Sequence, residues 1–304
     1  MERRGFIKRL GLGAAAVSAA STLSLPAFAK GKVAAAPFKL DFAPHFGMFK
    51  QHAPGGLVDE LRFMADQGFR SLEDNGLLKR PLAEQELIGK TLDQLGMRMG
   101  VFVVDGGDNW KVSLASGKQE FLDNFVATCK ASVEAAKRVN AKWMTRVPGY
   151  VDRNLPIGVQ TGHVIDALKR GAEIFEPHGL TMVLEPLSDN PDLFLRHADQ
   201  TYMICRAVGS PACKLLYDAY HMQRNEGNLI ATMEKTWSEI AYIQIGDNPG
   251  RKEPGTGEVN YANVFQFIHK KGFTGILGME HGNAIPGKEG ELALIDAYRK
   301  VDVK

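Results

Sequence analysis

The chain has 304 residues, a formal net charge of +2, 24% charged residues and 44% hydrophobic residues, a balance typical of a globular protein and not of a disordered or fibrous one. Its three cysteines are too few, and odd in number, for a disulfide framework, so we expect buried free thiols, with a Cys205–Cys213 pair as the alternative. Binding to nucleic acid would need a cluster of basic residues on one face, and the sequence shows no such cluster after its N-terminal segment.

The first 29 residues have the pattern of an export signal. Paired arginines, Arg3 and Arg4, precede an apolar Gly/Ala/Leu stretch and an Ala-x-Ala cleavage motif that ends at Ala29. This pattern resembles the twin-arginine signal of bacteria, which is read by the twin-arginine export machinery. We expect a periplasmic protein without stable membrane insertion, preceded by a flexible leader over residues 30–36. The alternative, a membrane anchor or amphipathic helix, is disfavoured because the apolar stretch is short for a membrane span.

The rest of the chain, residues 37–304, repeats one pattern eight times: a short apolar run followed by a segment with helical periodicity. The strand-like runs begin near Phe38, Phe69, Met97, Lys142, Leu180, Lys214, Ile240 and Gly275. The helical segments are expected at 57–67, 83–95, 119–139, 160–177, 198–208, 229–237, 261–271 and 290–300. Eight βα units in about 250 residues predict an α/β fold, a single-domain (β/α)8 TIM barrel.

Four apolar runs in the second half of the chain each end on an oxygen-bearing side chain. The four side chains are Glu185, Asp218, Gln244 and Glu280. Because the carboxyl ends of parallel barrel strands meet at one rim, we expect these side chains to converge. Three carboxylates at one point would repel one another unless a hard divalent cation lay between them. All-oxygen ligands suit Mg²⁺ or Mn²⁺, so the sequence predicts such a site.

Two motifs in this half are highly specific. Residues 216–223 read LYDAYHMQ, and residues 249–261 read PGRKEPGTGEVNY. Together with LEPL at 184–187 and GMEH at 278–281, they resemble the hydroxypyruvate isomerase family, one of the xylose-isomerase-like barrels that also include ketose 3-epimerases. The resemblance is close over about residues 180–281 and implies that one Mg²⁺ or Mn²⁺ is bound by four side chains. These are Glu185, Asp218, Gln244 and Glu280. The glutamine at position 244 is typical of the hydroxypyruvate isomerases that this chain resembles, whereas similar ketose epimerases usually have a histidine at this position.

The resemblance also implies two substrate contacts near the metal. His221 lies three residues after Asp218, where a tight turn would direct its ring towards the metal and the substrate oxygen. Arg251 resembles an arginine that reaches over the metal to the substrate, and its planar fork suits a carboxylate or vicinal oxygens. A salt bridge from Arg251 to Glu253 or Glu258 is the alternative.

The first half of the chain is less similar to this family. Glu73, at the end of the second strand, is expected to support a ligand or bind a substrate hydroxyl. His45, after the first strand, is expected to reach the substrate, with an ordinary loop histidine as the alternative. The loop around Trp110 lacks the family's Gly-Glu-Arg-Gly, and Arg146 replaces an apolar residue, so the substrate side of the pocket is predicted to differ.

Glu185 and Glu280 are the pair expected to remove a proton beside a carbonyl and return it to the neighbouring carbon, through an enediolate. Applied to hydroxypyruvate, this chemistry gives tartronate semialdehyde. A keto-sugar epimerase or lyase with the same metal site, and a non-catalytic sugar-binding barrel, are the alternatives. The expected ligand is thus a small keto acid or keto sugar, and the sequence leaves the oligomeric state open, a homo-oligomer included.

Overall fold

The computed structural model describes residues 35–304, so the predicted export signal and most of the predicted leader lie outside the described residues. The strands are β1 (Asp41–Ala43), β2 (Ser71–Leu72), β3 (Arg98–Met99), β4 (Phe102–Val103), β5 (Trp143–Arg146), β6 (Thr181–Leu184), β7 (Cys213–Asp218), β8 (Ile240–Ile245) and β9 (Ile276–Met279). The α-helices are α1 (Leu57–Asp66), α2 (Leu82–Leu95), α3 (Gln119–Val139), α4 (Ile157–Phe175), α5 (Ala198–Val208), α6 (Ala219–Asn225), α7 (Leu229–Thr236), α8 (Tyr261–Lys270) and α9 (Gly287–Val301).

The strands form a curled parallel sheet with helices between them. Seven strands pair in the order β1-β9-β8-β7-β6-β5-β4, and β2 pairs with β3. A single parallel bridge between His45 and Glu73 joins the ends of β1 and β2. Because β3 and β4 are separated by only two residues, they occupy one strand position, and the ring has eight positions. The predicted single-domain (β/α)8 barrel is therefore confirmed.

Apolar side chains fill both the barrel and the layer around it. The barrel interior is a small buried cluster of Ala43, Val101, Val183, Leu216, Tyr242 and Ile276. A larger apolar core lies between the sheet and the helices. The three cysteines are free and buried, as expected. Among the described helices, none is both long enough and apolar enough to cross a membrane.

Candidate metal and active site

The carboxyl ends of four neighbouring strands bring the predicted ligands together. Asp218 ends β7 and pairs in register with Gln244 of β8, while Glu185 and Glu280 directly follow β6 and β9. Single ligand atoms of Glu185, Asp218, Glu280 and His221 all lie within 4.8 Å of one another. The β-barrel geometry therefore forms an acidic cluster from residues far apart in sequence. Below, "the acidic cluster" means Glu185, Asp218 and Glu280.

Arg251 lies against this acidic cluster. Its Nη2 is 3.1 Å from Asp218 Oδ2 and 2.5 Å from Glu280 Oε2, and its Nε donates to the Glu280 carbonyl oxygen at 3.0 Å. The guanidinium also stacks 4.8 Å from the ring centre of Tyr220. Arg251 thus offsets part of the negative charge of the acidic cluster.

The alternative partners considered for Arg251 are engaged elsewhere. Glu253 accepts a hydrogen bond from the Ala284 backbone N–H, and Glu258 accepts one from the Asn248 side chain. The alternative salt bridge from Arg251 to Glu253 or Glu258 is therefore wrong.

Gln244 is held by Glu73. Gln244 Nε2 donates to Glu73 Oε1 at 2.7 Å, and the Tyr242 hydroxyl donates to Glu73 Oε2 at 3.0 Å. Because the amide nitrogen faces the carboxylate, Gln244 Oε1 points elsewhere, and it has no hydrogen-bond partner among residues 35–304. Gly278 leaves room for this contact, since a Cβ there would lie 1.7 Å from Glu73 Oε2.

His221 is fixed in one tautomer by the loop after β6. The Ser188 backbone N–H donates to His221 Nδ1 at 3.2 Å, and the Ser188 hydroxyl lies 2.8 Å from the same atom. A backbone N–H can only donate, so Nδ1 accepts and the proton of the neutral ring is on Nε2. Nε2 lies 3.5 Å from Asp218 Oδ2 and 3.8 Å from Glu185 Oε1. His221 therefore presents an N–H donor to the cluster, which suits a substrate oxygen and not a metal.

The predicted tight turn before His221 is wrong, because α6 begins there. Asp218 is the N-cap of this helix, and its side chain accepts from the backbone N–H groups of Tyr220 and His221. The cap leaves Asp218 Oδ2 directed at Arg251 and His221.

The acidic cluster has the properties of a cation site. Glu185 Oε1, like Gln244 Oε1, is buried without a hydrogen-bond partner in the described part of the chain. Burial, then the charges of Glu280 and Asp218, raise the pKa of Glu185 well above its usual range. Burial raises the pKa of Glu280 to about 7, although the Arg251 charge acts in the opposite direction. Crowded carboxylates and two unpaired oxygens fit a hard divalent cation, so this buried group could bind a metal.

The polar atoms of two residues predicted to contact the substrate, Glu73 and His45, form hydrogen bonds within the protein. Both carboxylate oxygens of Glu73 bind Tyr242 and Gln244, so its contacts are those of a residue that supports Gln244. The ring nitrogens of His45 lie 2.9 Å from the Phe46 carbonyl oxygen and 3.1 Å from that of His281. The substrate-binding role of both residues stays a prediction that no contact supports.

The loop after β8 is organised by Asp247, a residue to which the sequence analysis gave no role. Its buried carboxylate accepts from the backbone N–H groups of Gly255, Gly257 and Val259. The Arg251 backbone N–H donates to the Asp247 carbonyl oxygen at 2.7 Å. Asp247 thereby holds the loop that presents Arg251, and its place two residues after the end of β8 is the signal that could have identified it.

Asn75 and Ser188 are two further residues of the site that the sequence analysis missed. Asn75 Nδ2 donates to Glu280 Oε1 at 2.7 Å, and Ser188 fixes His221 as described. Asn75 comes three residues after β2 and Ser188 four residues after β6. Polar residues shortly after barrel strands were the available signal.

Arg146 and the divergent loop after β4 are partners. Arg146 is fully buried, and both its Nη atoms lie 3.1 Å from Asp108 Oδ1. It also contacts the side chain of Asn109 and the ring of Phe125 in α3. The unusual arginine therefore anchors the unusual loop, whose Trp110 is 54% exposed.

Comparisons with known proteins agree with this architecture. A family model described as a xylose isomerase-like TIM barrel matches residues 61–300. Hydroxypyruvate isomerase of Escherichia coli (strain K12) is 29% identical over 196 residues, which cover 64% of this chain and 74% of that protein. The 2-oxo-tetronate isomerase of Cupriavidus necator is 28% identical over 239 residues, which cover 77% of this chain and 89% of that protein.

Solved structures share the fold. The AP endonuclease, family 2, from Brucella melitensis superposes with a TM-score of 0.74 at 23% identity and covers 85% of this chain and 99% of its own. The crystal structure of IOLI protein with a binding zinc atom has a TM-score of 0.66 at 16% identity and covers 86% of this chain and 96% of its own. At these identities the likeness concerns the fold alone.

Proposed function

The chain belongs to the xylose isomerase-like TIM barrel family, and we propose that it is a metal-dependent isomerase of small keto acids, with hydroxypyruvate as substrate and tartronate semialdehyde as product. The relatives named as hydroxypyruvate and 2-oxo-tetronate isomerases support the reaction class. The observation that carries the proposal is the buried acidic cluster, whose ligand atoms lie within 4.8 Å of one another.

Four oxygen-bearing side chains would hold the metal: Glu185, Asp218, Gln244 and Glu280. When bound, Mg²⁺ or Mn²⁺ would supply positive charge beside the substrate oxygens on which negative charge develops. His221 is left out of this set, since its Nε2 carries a proton and has no lone pair to offer.

The protein side chains carry the proton transfer. One of Glu185 and Glu280 removes a proton from the carbon next to the carbonyl, and the other returns a proton to the former carbonyl carbon. The His221 Nε2–H donates a hydrogen bond to a substrate oxygen. Arg251, already beside Glu280 Oε2, supplies positive charge and a planar fork for a substrate carboxylate. The proton of the substrate hydroxyl is lost and a proton is gained by the former carbonyl oxygen, so the atoms of the substrate are conserved, as an isomerisation requires.

A keto-sugar epimerase or lyase is the second candidate. The observation that favours it is the buried Arg146–Asp108 pair, which anchors a loop after β4 that departs from the hydroxypyruvate isomerase pattern. That loop follows a barrel strand at the rim where substrates bind, so its change is relevant to substrate size. The non-catalytic sugar-binding alternative gives no reason for two neighbouring glutamates, one buried and one half-buried, with raised pKa values.

The experiment is a substrate panel. Metal-free protein, protein loaded with Mg²⁺ or Mn²⁺, and loaded protein treated with EDTA are each incubated with hydroxypyruvate, 2-oxo-tetronate and a set of ketoses. NMR spectra of the mixtures identify the products. We expect metal-dependent conversion of hydroxypyruvate that EDTA abolishes. Conversion of a ketose alone would favour the second candidate, and equal turnover with and without metal would refute the metal-dependent mechanism.

A further inference from the structure

Asn75 lies at the site but belongs neither to the four proposed metal ligands nor to the acid–base pair. Its Nδ2 donates to Glu280 Oε1 at 2.7 Å. Its Oδ1 is buried and has no hydrogen-bond partner within residues 35–304. Buried side-chain oxygens without any partner are uncommon in folded proteins, and at a site of this kind they indicate a ligand.

The orientation of the Asn75 amide follows from its partner. The Glu280 carboxylate, which also accepts from Arg251, takes the amide nitrogen and leaves the amide oxygen free. The oxygen and nitrogen of one amide are about 2.3 Å apart. Asn75 Oδ1 therefore lies within about 5 Å of Glu280 Oε1, which the 2.7 Å hydrogen bond fixes.

The backbone around Asn75 is held on both sides. The Asp74 N–H donates to the Val101 carbonyl oxygen at 3.2 Å, and the Val103 N–H donates to the Asn75 carbonyl oxygen at 3.4 Å. Arg80 Nε binds Asp74 Oδ2 at 2.6 Å. A binding group needs such support to keep its geometry, so Asn75 is preorganised beside Glu280.

We propose that Asn75 is a substrate-binding residue whose Oδ1 accepts a hydrogen bond from the hydroxyl group on the carbon next to the substrate carbonyl. This rests on the proposed function, because it is the α-hydroxy ketone of that reaction that offers such a hydroxyl. The Asn75 amide oxygen accepts a hydrogen bond from a hydroxyl group. It repels a carboxylate oxygen, because the amide oxygen and the carboxylate oxygen are both acceptors. Asn75 therefore selects an α-hydroxy ketone over a ketone whose neighbouring carbon is unsubstituted.

The same contact assigns the two glutamates. In an α-hydroxy ketone the hydroxyl and the proton to be removed are attached to the same carbon. A residue that binds this hydroxyl must lie next to the residue that removes the proton, and Asn75 contacts Glu280 directly. Glu280 therefore serves the hydroxyl-bearing carbon, and Glu185 serves the carbonyl carbon.

The test compares ligands with and without the hydroxyl. Affinities of the Mn²⁺-loaded chain for hydroxypyruvate and pyruvate are measured by calorimetry, and the comparison is repeated with D-fructose and 1-deoxy-D-fructose for the keto-sugar candidate. We expect the wild type to prefer the hydroxylated member of at least one pair by roughly 10-fold. Asn75→Ala should bring this preference close to one, with little change in the affinity for the deoxy member.

Two variants control the comparison. Asn283→Ala removes an amide whose Nδ2 donates to the Met48 carbonyl oxygen in the loop after β1, and it should leave the preference unchanged. Asn75→Leu, which keeps the volume, replaces Asn75→Ala if the latter does not fold. Equal losses for both members of a pair would show that Asn75 only positions Glu280, and a wild type without preference in either pair would also overturn the proposal. An Asn75-dependent preference without any turnover in the substrate panel would refute the isomerase and not the hydroxyl contact.

Discussion

The side chains of the site differ in which of their polar atoms lack a hydrogen-bond partner. Glu185 Oε1, Gln244 Oε1 and His221 Nε2 are buried atoms without partners in the part of the chain that the structure describes. Glu280, in contrast, accepts from Asn75 and Arg251. Two acceptors and one donor without partners, on residues at or just after the ends of neighbouring barrel strands, are what a metal and a substrate oxygen would satisfy.

The acid–base pair gives the first prediction. Glu185→Gln or Glu280→Gln keeps an oxygen ligand and removes the base, so turnover should fall by roughly 10²–10⁴. Metal affinity should weaken less than in the corresponding Ala variants. The matched control is Glu289→Gln, an exposed glutamate in the first turn of α9, which should leave turnover unchanged. Near-native turnover of the substrate by either site variant would exclude the two-glutamate mechanism.

Glu73 gives the second prediction. In Glu73→Gln the new amide can present oxygen or nitrogen to Gln244, so the orientation of the Gln244 amide is no longer fixed. Because partners behind a ligand typically contribute 10–100-fold to metal affinity, Mn²⁺ binding should weaken by about that factor. Titration of metal-free protein with Mn²⁺, followed by electron paramagnetic resonance, measures this.

The control for Glu73 is another buried glutamate. Glu60 Oε1 accepts from the backbone N–H groups of Gly47 and Phe49 in the loop after β1, and none of its hydrogen bonds involves the cluster. Glu60→Gln should leave Mn²⁺ affinity unchanged, even if it lowers stability. Equal affinities of Glu73→Gln and wild type would show that Gln244 needs no support from Glu73.

At the scale of single elements, helices were easier to predict than the loops that follow the strands. The predicted helices 119–139 and 198–208 coincide with α3 and α5. Their apolar periodicity and the residues that end them, Asn140 and Gly209 in left-handed conformations, are local signals. The helix α6 was missed, because its start depends on Asp218 acting as a cap, a role that the expected ligand function concealed.

The positions of candidate ligands were predictable where one strand carries one such residue, as at Asp218 and Gln244, which the structure places in register on β7 and β8. Contacts between elements distant in sequence were not predictable. The Asn75–Glu280 hydrogen bond spans 205 residues and the Glu73–Gln244 hydrogen bond spans 171. Their side chains meet only because the sheet closes, so no local pattern records the pairing.

The Arg146–Asp108 pair links β5 to the loop after β4 and gives the third prediction. Both side chains are almost fully buried, so Arg146→Met leaves an uncompensated charge on Asp108 and should lower the free energy of unfolding by about 3–5 kcal/mol. The double variant Arg146→Met/Asp108→Asn should lose less free energy of unfolding, because position 108 then carries no unpaired charge. Chemical denaturation measures both.

An exposed ion pair is the control for Arg146. Arg153→Met breaks a contact with Asp192 in which both side chains are substantially exposed, and it should leave the free energy of unfolding nearly unchanged. If Arg146→Met and Arg153→Met had equally small effects, Arg146 would not anchor the loop.

For the whole molecule, the predicted barrel explains why four oxygen-bearing side chains from separate strands share one rim. The export signal is predicted over residues 1–29, which lie outside the described residues. We propose that the protein is exported to the periplasm after folding, with its metal acquired in the cytoplasm. Changing both Arg3 and Arg4 to lysine should trap the precursor inside the cell, which fractionation and immunoblotting would detect. Efficient export of this double variant would contradict a twin-arginine route.

The central claim is that proton transfer through an enediolate occurs at the acidic cluster. The most direct measurement incubates the Mg²⁺- or Mn²⁺-loaded protein with hydroxypyruvate in deuterated water and follows carbon-bound deuterium by NMR. The predicted result is deuterium incorporation into product and recovered substrate, faster than in a protein-free control, abolished by EDTA and strongly reduced in Glu280→Gln. Conversion without solvent deuterium in either compound would indicate direct hydride transfer, and would contradict the mechanism.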